Sequence, residues 1–530
     1  DSQRTDRHLP VITGLIDPAQ FALITKPESG VVVIDGGAGS GKTTIALHRM
    51  AYLAFQSGDR FRPDQMLGVV FNKALAGYIG QLLPALGVKG VNIAVQEDLF
   101  SALRRRHFPD HPVDYHEVSP TAVMRFKQHP ATWEYLQGRV REKAEEIRRG
   151  LERALHEAPD AKRALTGRAA RRDPEAGQIP MAFPSAAKET PSGRALMAWD
   201  SLEGTPLGLR LQQYDDWVRG RGILPGVGGF GDDWLTRQRL KKHLEDVWPR
   251  ANLPQHLAWQ IWENAFLSLE SLQHSFDRLA PDVFSAGHLE EVRNWAFKYY
   301  SDQEEYLAQK AERDAPKEPD EDGTPEEAPP PAAEAPQIDR EDDTLLLLLH
   351  KEVAGPLRSA KKKPWKVTHL MVDEAQDFSS LELRVLLGLA AEPHSVTLSG
   401  DTEQRMILHN SFTAWEDVLN QLGLSGTNIS PLQVGYRSTA EIMKFFHAVL
   451  GPLATERPWK PTRSGAPVEL LRFAASGQAV VALGDALRRL MRTEPNANVA
   501  LISRYAAQAE MYYQGLSKME LPRLHRVAEQ

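Results

Sequence analysis

The sequence of 530 residues contains no cysteine. This absence excludes disulfide bonds and thiolate metal sites, and it fits the reducing cytoplasm, where we expect the protein to be located. The sequence also lacks an apolar run long enough to span a membrane, because its most hydrophobic stretch, TLLLLLHKEV at 344–353, is far too short. We therefore expect no membrane partner.

Net positive charge is absent as well. The formal net charge is −7, whereas proteins that coat nucleic acids draw their affinity from the neutralisation of phosphates. Any contact with nucleic acid must therefore use local basic patches, although solvated surface is the ordinary explanation of such a patch. The four candidate patches are residues 104–106, 168–172, 237–243 and 361–363.

What the sequence does contain is a glycine-rich loop between two apolar patterns. Residues 31–34 form a β-branched run, and apolar residues recur at helical spacing from Thr43 onward. Between them, GGAGSGKT fits the pattern G-x-x-x-x-G-K-[ST], in which backbone N–H groups surround phosphate oxygens at a helix N-terminus. In this pattern Lys42 reaches the β- and γ-phosphates and Thr43 reaches Mg²⁺. A glycine turn that matches by chance is the alternative.

The order of strand, loop and helix favours nucleotide binding over a chance match, and it predicts ATP and Mg²⁺ as cofactors. The predicted nucleotide-binding residues of this loop are Gly36, Gly39, Gly41, Lys42, Thr43 and Thr44.

A second apolar run, VTHLMV at 367–372, ends in the acidic pair Asp373 and Glu374. Open α/β sheets bind their ligands at the carboxyl ends of the strands, so both carboxylates are expected at the nucleotide. Asp373 is the predicted Mg²⁺ ligand and Glu374 the predicted general base. Alternatively, the pair caps the following predicted helix at 379–389. The glycine-rich loop favours the catalytic interpretation.

Together, GGAGSGKTT and DEAQD resemble the superfamily 1A helicases, the group of UvrD, Rep and PcrA. Four further segments resemble motifs of that family in the same order along the chain: the Q motif at 17–24, motif Ia at 68–79, motif III at 396–407 and motif IV at 432–442. The resemblance implies that Gln20 contacts the adenine and that Gln404 senses the γ-phosphate. It also implies that Tyr436 stacks on the base and that Arg437 contacts the γ-phosphate.

Three segments resemble HelD, a helicase-like factor family that binds bacterial RNA polymerase, more than they resemble UvrD. They are GGAGSGKTTIALHRMAYL, HLMVDEAQDFSSLEL and FTAWEDVL. For His48 and Arg49 in the first segment, an ordinary solvated helix face is as good an explanation as a special role. The sequence departs from UvrD at RMILHNSF, residues 405–412, which has no Trp or Tyr to stack on single-stranded bases. Glu97 and Asp98 also occupy the motif Ib region, where they would repel phosphates.

These departures favour a HelD-like ATPase that remodels or releases RNA polymerase. A DNA helicase or single-strand DNA translocase is the alternative, and a nucleotide-binding regulator without turnover is a third possibility. In the family, the strand and helix predicted at 499–516 precede motifs V and VI, which are not in this sequence. We therefore expect a fragment or a short relative.

The predicted fold class is α/β. A RecA-like P-loop lobe is expected from residues 1–115 and 344–430, with a large, mostly helical insertion at 116–343 and the start of a second RecA-like lobe at 431–530. Helical patterns at 132–157, 256–276 and 288–312 place the aromatic residues of the insertion on core-facing stripes.

The segment 311–343 is acidic, rich in proline and devoid of aromatic residues. Such a composition buries too little apolar surface to offset the entropy of ordering, and it predicts disorder. The segment is either a solubilising linker or, by resemblance to HelD, an acidic arm that enters a channel of the polymerase.

Overall fold

The computed structural model describes most of the chain, and the structural statements below concern only the described residues. These are 16–37, 39–156, 190–229, 233–247, 254–314, 334–402, 404, 412–432, 434–435, 438–451, 460–461, 463–519, 521 and 524–525. Several predicted features therefore lie outside the description: Tyr436, Arg437, the basic patch at 168–172 and most of the segment 405–412.

The chain divides into two compact units. The first comprises Asp1–Ser438 with Ala454–Thr462, and the second comprises Thr439–Leu453 with Arg463–Gln530. The predicted nucleotide loop, acidic pair and helical insertion all belong to the first unit.

The strands lie in the first unit. They are β1 (Gly30–Gly36), β2 (Met66–Val70), β3 (Asn92–Val95), β4 (Asp114–Tyr115), β5 (Gln337–Ile338), β6 (His369–Val372), β7 (Ser395–Gly400), β8 (Ile429–Leu432), β9 (Val434–Gly435) and β10 (Lys460–Pro461).

Eighteen α-helices are described. They are α1 (Pro18–Ile24), α2 (Lys42–Gln56), α3 (Lys73–Ala85), α4 (Gln96–His107), α5 (Thr121–Gln128), α6 (Pro130–His156), α7 (Pro191–Asp200), α8 (Leu207–Arg219), α9 (Trp234–Val247), α10 (Pro254–Ala265), α11 (Leu269–Leu279), α12 (Ala286–Asp314), α13 (Arg340–Ala354), α14 (Ser380–Leu387), α15 (Trp415–Gln421), α16 (Ala440–Leu450), α17 (Ser476–Thr493) and α18 (Ala506–Ser517).

A six-stranded sheet in the order β3-β2-β6-β7-β1-β8 forms the centre of the first unit. All of its pairings are parallel. The inner strands β1, β2 and β6 carry apolar runs, as expected of parallel strands that are buried on both faces, and β7 is buried along its whole length although Ser and Thr alternate with its apolar residues. This sheet confirms the predicted α/β class. It also brings the carboxyl ends of β1, β6 and β7 to one edge.

The insertion is helical, as predicted, and its aromatic residues form a core. Trp133, Tyr135 and Trp259 are buried in one hydrophobic cluster that continues into the sheet. Trp234 and Phe297 are exceptions, because they are 68% and 52% exposed. Helix α13 links the insertion to the sheet layer because it packs against α4, α8 and α10.

Two predictions within the insertion were wrong in detail. The single helix predicted at 256–276 is divided into α10 and α11, since Ser268 caps a new helix by accepting a hydrogen bond from Ser271 N. The disorder predicted for 311–343 is wrong at both ends: α12 extends to Asp314, and β5 and α13 occupy Gln337–Ile338 and Arg340–Ala354. Residues 315–333 lie outside the described part of the chain.

The second unit contains α16, α17 and α18. Leu487 of α17, Leu516 of α18 and Leu521 form its small apolar cluster. The strand predicted at the start of the segment 499–516 is not formed, and no strand lies among the described residues of this unit. In the described part of the chain, no helix has the length and apolar character needed to cross a membrane.

Candidate functional site

The loop between β1 and α2 requires glycine at several positions. Gly39 and Gly41 have φ angles of 71° and 90°, in the left-handed region that glycine adopts at little cost. A Cβ atom on Gly36 would lie 2.7 Å from Ser40 Oγ and 2.9 Å from Leu432 Cβ. The chain path and the close packing therefore both depend on missing side chains, as predicted for a phosphate-binding loop.

Lys42 lies over this loop. Its buried Nζ donates hydrogen bonds to Gly36 O at 2.7 Å and to Gly37 O at 3.2 Å. Asp401 Oδ2 lies 4.0 Å from the same Nζ. The ammonium group is thus held against backbone carbonyl groups of the predicted phosphate loop.

Helix α1 joins the site through Gln20. Asp17 and Gln20 form a capping box, with Gln20 N donating to Asp17 Oδ1 at 2.8 Å. The Gln20 Nε2 atom donates to Ser40 O in the glycine loop at 3.3 Å. Gln20 is therefore adjacent to the predicted nucleotide site, and its contact with adenine stays a prediction.

Asp373 lies directly after β6 and is fully buried. Its Oδ2 accepts a hydrogen bond from Thr43 Oγ1 at 2.6 Å, and its Oδ1 accepts one from Ser399 Oγ at 2.6 Å. Burial raises the pKa of the Asp373 carboxyl, and the two hydroxyl groups partly oppose this shift. Thr43 and Asp373 thus present two hard oxygen atoms side by side, which is the donor chemistry that Mg²⁺ prefers.

A protein-only metal cage is not formed in the part of the chain that the structure describes. Within the described residues, no three His, Cys, Asp or Glu side chains converge. Magnesium in nucleotide sites is commonly held by one or two carboxylates, with phosphate and water as the other ligands, so the pair of Thr43 and Asp373 fits that mode.

Glu374 has a φ angle of 53°, which is uncommon for a residue with a side chain and recurs at functional sites. Gln376 Nε2 donates to Glu374 Oε2 at 2.8 Å and to Gln404 O at 3.3 Å. The other end of the Gln376 amide, Oε1, accepts from Asp401 N at 2.9 Å. One amide therefore holds together the segments that follow β6 and β7.

A buried tryptophan contacts the strand that leads into the loop. Trp415 Nε1 of α15 donates to Asp35 Oδ1 at 3.1 Å. A Cβ atom on Gly400 would lie 2.9 Å from Trp415 Cζ2 and 2.7 Å from Gln376 Oε1. Asp35, Gly400 and Gln376 are thereby packed around one indole.

The sequence patterns did not single out Ser399 or Gln376 as functional residues, although Gln376 stands within the quoted DEAQD. Arg49 was also misjudged as a candidate for a solvated helix face. Arg49 is fully buried, and its guanidinium donates to Lys26 O at 2.8 Å and to Pro27 O at 2.6 Å. Burial lowers the pKa of Arg49 to about 10. Its role is to attach α2 to the segment after α1.

The contacts of the remaining predicted residues do not test their predicted roles. Thr44 lies on the first turn of α2, where its carbonyl oxygen is 2.8 Å from His48 Nδ1. Gln404 N donates to Asp401 O at 3.1 Å, so Gln404 lies close to the segment after β7. Glu97, in the motif Ib region, forms an ion pair with Arg340 at 3.2 Å. Tyr436 and Arg437 are not described, and their roles stay predictions.

Comparison with known proteins adds no assignment, since no family model and no curated protein matches the chain.

Proposed function

We propose that this protein is an ATPase of the superfamily 1A helicase type. The observation that carries the proposal is the contact between Thr43 and Asp373, beside the buried Lys42. The two residues are 330 positions apart in sequence, and Thr43 Oγ1 lies 2.6 Å from Asp373 Oδ2. A chance glycine turn gives no reason for a hydroxyl and a carboxylate from distant segments to meet at its helix N-terminus.

The residues have distinct roles in this proposal. The glycine loop and Lys42 bind the triphosphate, with the ammonium at the β- and γ-phosphates. Thr43 and Asp373 hold Mg²⁺, which supplies charge neutralisation at the phosphates when bound. Glu374 accepts a proton from the attacking water, and the hydrogen bond from Gln376 holds its carboxylate in place.

The sheet of the first unit supports a RecA-like lobe because its strand edge brings the loop and the acidic pair together. The helical insertion at 116–343 is then the counterpart of the helicase insertion domain. The second unit is proposed as the start of the second RecA-like lobe. By resemblance, Gln404 senses the γ-phosphate, Tyr436 stacks on the adenine and Arg437 contacts the γ-phosphate.

RNA polymerase is the proposed partner, in the manner of HelD. The net charge of −7 disfavours a continuous track for single-stranded DNA. The sequence 405–412 supplies no Trp or Tyr for base stacking. A DNA helicase or single-strand translocase remains the second candidate because the nucleotide site is common to both.

Replacement of Lys42 by Ala should weaken ATP binding about 10- to 100-fold, because a charge-assisted contact with phosphate contributes roughly 1.5–3 kcal/mol. Titration with a fluorescent ATP analogue measures the change. Lys89→Ala removes the same charge from an exposed site and should leave the affinity unchanged. Equal affinities of Lys42→Ala and wild type would refute the phosphate-loop assignment.

A tagged full-length chain should co-purify with RNA polymerase subunits identified by mass spectrometry. It should bind single-stranded oligonucleotides only at micromolar concentration or weaker near physiological salt, in the range of non-specific contacts. Removal of residues 315–333 should weaken the polymerase contact and retain ATP binding, since this deletion spares the structured acidic residues of α13. Tight single-strand binding with DNA-stimulated hydrolysis and no polymerase would favour the DNA motor instead.

A further inference from the structure

Two basic patches that are far apart in sequence form one surface. The end of α4 carries Arg105 and Arg106, and the loop before β6 carries Arg358 and residues 361–363. Arg106 Nη1 donates to Arg358 O at 3.3 Å, and Arg358 N donates to His107 Nε2 at 2.8 Å. We call this the basic surface; it consists of Arg105, Arg106, Arg358, Lys361, Lys362 and Lys363.

The loop has a defined shape that presents its lysines outward. Ser359 N donates to Lys363 O at 2.9 Å, and Lys362 N donates to Ser359 O at 2.9 Å. Trp365 N closes the loop by donating to Leu357 O at 2.8 Å. A regular turn therefore holds three consecutive lysines on the protein surface.

The charge of the basic surface is not neutralised by carboxylates in the part of the chain that the structure describes. All six residues are exposed, and within the described residues none has a carboxylate within 4.0 Å. On helix α6, by contrast, Arg139 pairs with Glu142 at 2.6 Å and Lys143 pairs with Glu146 at 2.9 Å. Six clustered like charges repel one another, and the positive potential that they create favours an anionic partner.

This surface is separate from the nucleotide site. The loop with the three lysines precedes β6, whereas Asp373 follows β6. The four residues of β6 span roughly 13 Å. The basic surface and the phosphate loop thus lie at opposite edges of the sheet, and triphosphate binding does not account for the surface cations.

We propose that the basic surface binds the phosphate backbone of duplex nucleic acid, which goes beyond the ATPase function. Lysine and arginine head groups provide the phosphate contacts that position a protein on a duplex without reading its sequence. Among the described residues of the lysine loop, the aromatic side chain is that of Trp365, which is half-buried and packs against the core. Base stacking, the main additional contact of single-strand binders, is therefore not provided here.

The test compares two triple variants of the full-length chain. One is Lys361→Gln/Lys362→Gln/Lys363→Gln, and the matched control is Arg139→Gln/Lys143→Gln/Arg148→Gln. Each changes the formal net charge from −7 to −10, but the control removes cations that already pair with carboxylates. Fluorescence anisotropy with a labelled 20-base-pair DNA duplex, measured over a salt series, gives the affinity and its salt slope.

The lysine variant should bind the duplex on the order of tenfold or more weakly at 0.1 M salt, with a salt slope smaller by about 2 to 3. The control variant and Lys42→Ala should both retain wild-type duplex binding, so failure of the ATP site and failure of the basic surface are distinguishable. Unchanged duplex affinity and slope in the lysine variant would overturn the proposal. Equal competition by polyglutamate, at matched charge concentration, would also overturn it and would assign the surface to acidic proteins.

Discussion

Replacement of Glu374 by Gln is expected to reduce steady-state ATP hydrolysis by about 10²- to 10⁴-fold, the usual contribution of a positioned general base. ATP affinity should remain close to that of wild type, because the phosphate contacts come from the loop and Lys42. The reason for the loss is chemical: an amide of the same shape cannot accept a proton from water. Phosphate release and analogue binding, measured on the same preparations, separate the two effects.

This substitution should leave the neighbouring hydrogen bonds in place. The amide oxygen of the new side chain can still accept the hydrogen bond that Gln376 Nε2 now donates to Glu374 Oε2 at 2.8 Å. Gln376 can therefore maintain its contacts with Asp401 N and Gln404 O. Glu392→Gln, on an exposed loop, is the matched control and should hydrolyse ATP normally. Full turnover by Glu374→Gln would place the general base at another residue.

The positions of the residues in the proposed nucleotide site were predictable because their signals are local. The β-branched run and the glycine spacing locate the end of β1. The acidic pair after an apolar run locates the end of β6. Parallel pairing then brings Thr43 and Asp373 to the same edge of the sheet. The sequence therefore predicted these elements and the meeting of Thr43 with Asp373 without any knowledge of strand order, and the chemistry of the site stays a prediction.

The residues that hold the site together were not predictable in the same way. Ser399 contacts Asp373 only because β7 lies next to β6. Trp415 contacts Asp35 across 380 positions of sequence, and Arg49 bonds to carbonyl groups of a separate loop. Each contact depends on tertiary neighbours, which an apolar period does not reveal. The sequence predicted α10 and α11 as a single helix for a related reason, because one apolar period runs through both.

The prediction of disorder at 311–343 failed at its carboxyl-terminal end for an electrostatic reason. Asp339, Asp342 and Asp343 are each at most 3% exposed. Their partners come from earlier parts of the chain: Arg104 Nε of α4 lies 2.6 Å from Asp343 Oδ1, and Lys127 of the insertion lies between the other two carboxylates. Composition alone identifies the charges of this segment, but it does not identify the distant cations that neutralise them.

Lys127 is the central cation of that buried network. Its Nζ lies 2.5 Å from Asp339 Oδ2 and 2.5 Å from Asp342 Oδ2. Trp262 Nε1 donates to Asp342 Oδ1 at 3.1 Å, and Trp295 Nε1 donates to Asp339 Oδ2 at 3.0 Å. Burial acts to lower the pKa of Lys127, but the two carboxylates outweigh this effect and raise it, so the lysine stays charged.

Replacement of Lys127 by Ala should therefore destabilise the first unit by about 3–5 kcal/mol, because it leaves two carboxylates buried without their shared cation. Asp339 also caps α13, so loss of the network should loosen the helix that joins the insertion to the sheet. Urea unfolding followed by circular dichroism measures the loss. Lys143→Ala removes a partly exposed lysine that pairs with Glu146 at the surface, and it should barely shift the transition.

A second variant separates charge from packing. Lys127→Ala combined with Asp339→Asn and Asp342→Asn removes the uncompensated charges while it retains the acceptor oxygens for Trp262 and Trp295. If buried charge causes the loss, the triple variant should be more stable than Lys127→Ala alone, since neutral amides are less costly to bury than unpaired carboxylates. A triple variant no more stable than Lys127→Ala would show instead that the lysine acts through the volume that its side chain fills.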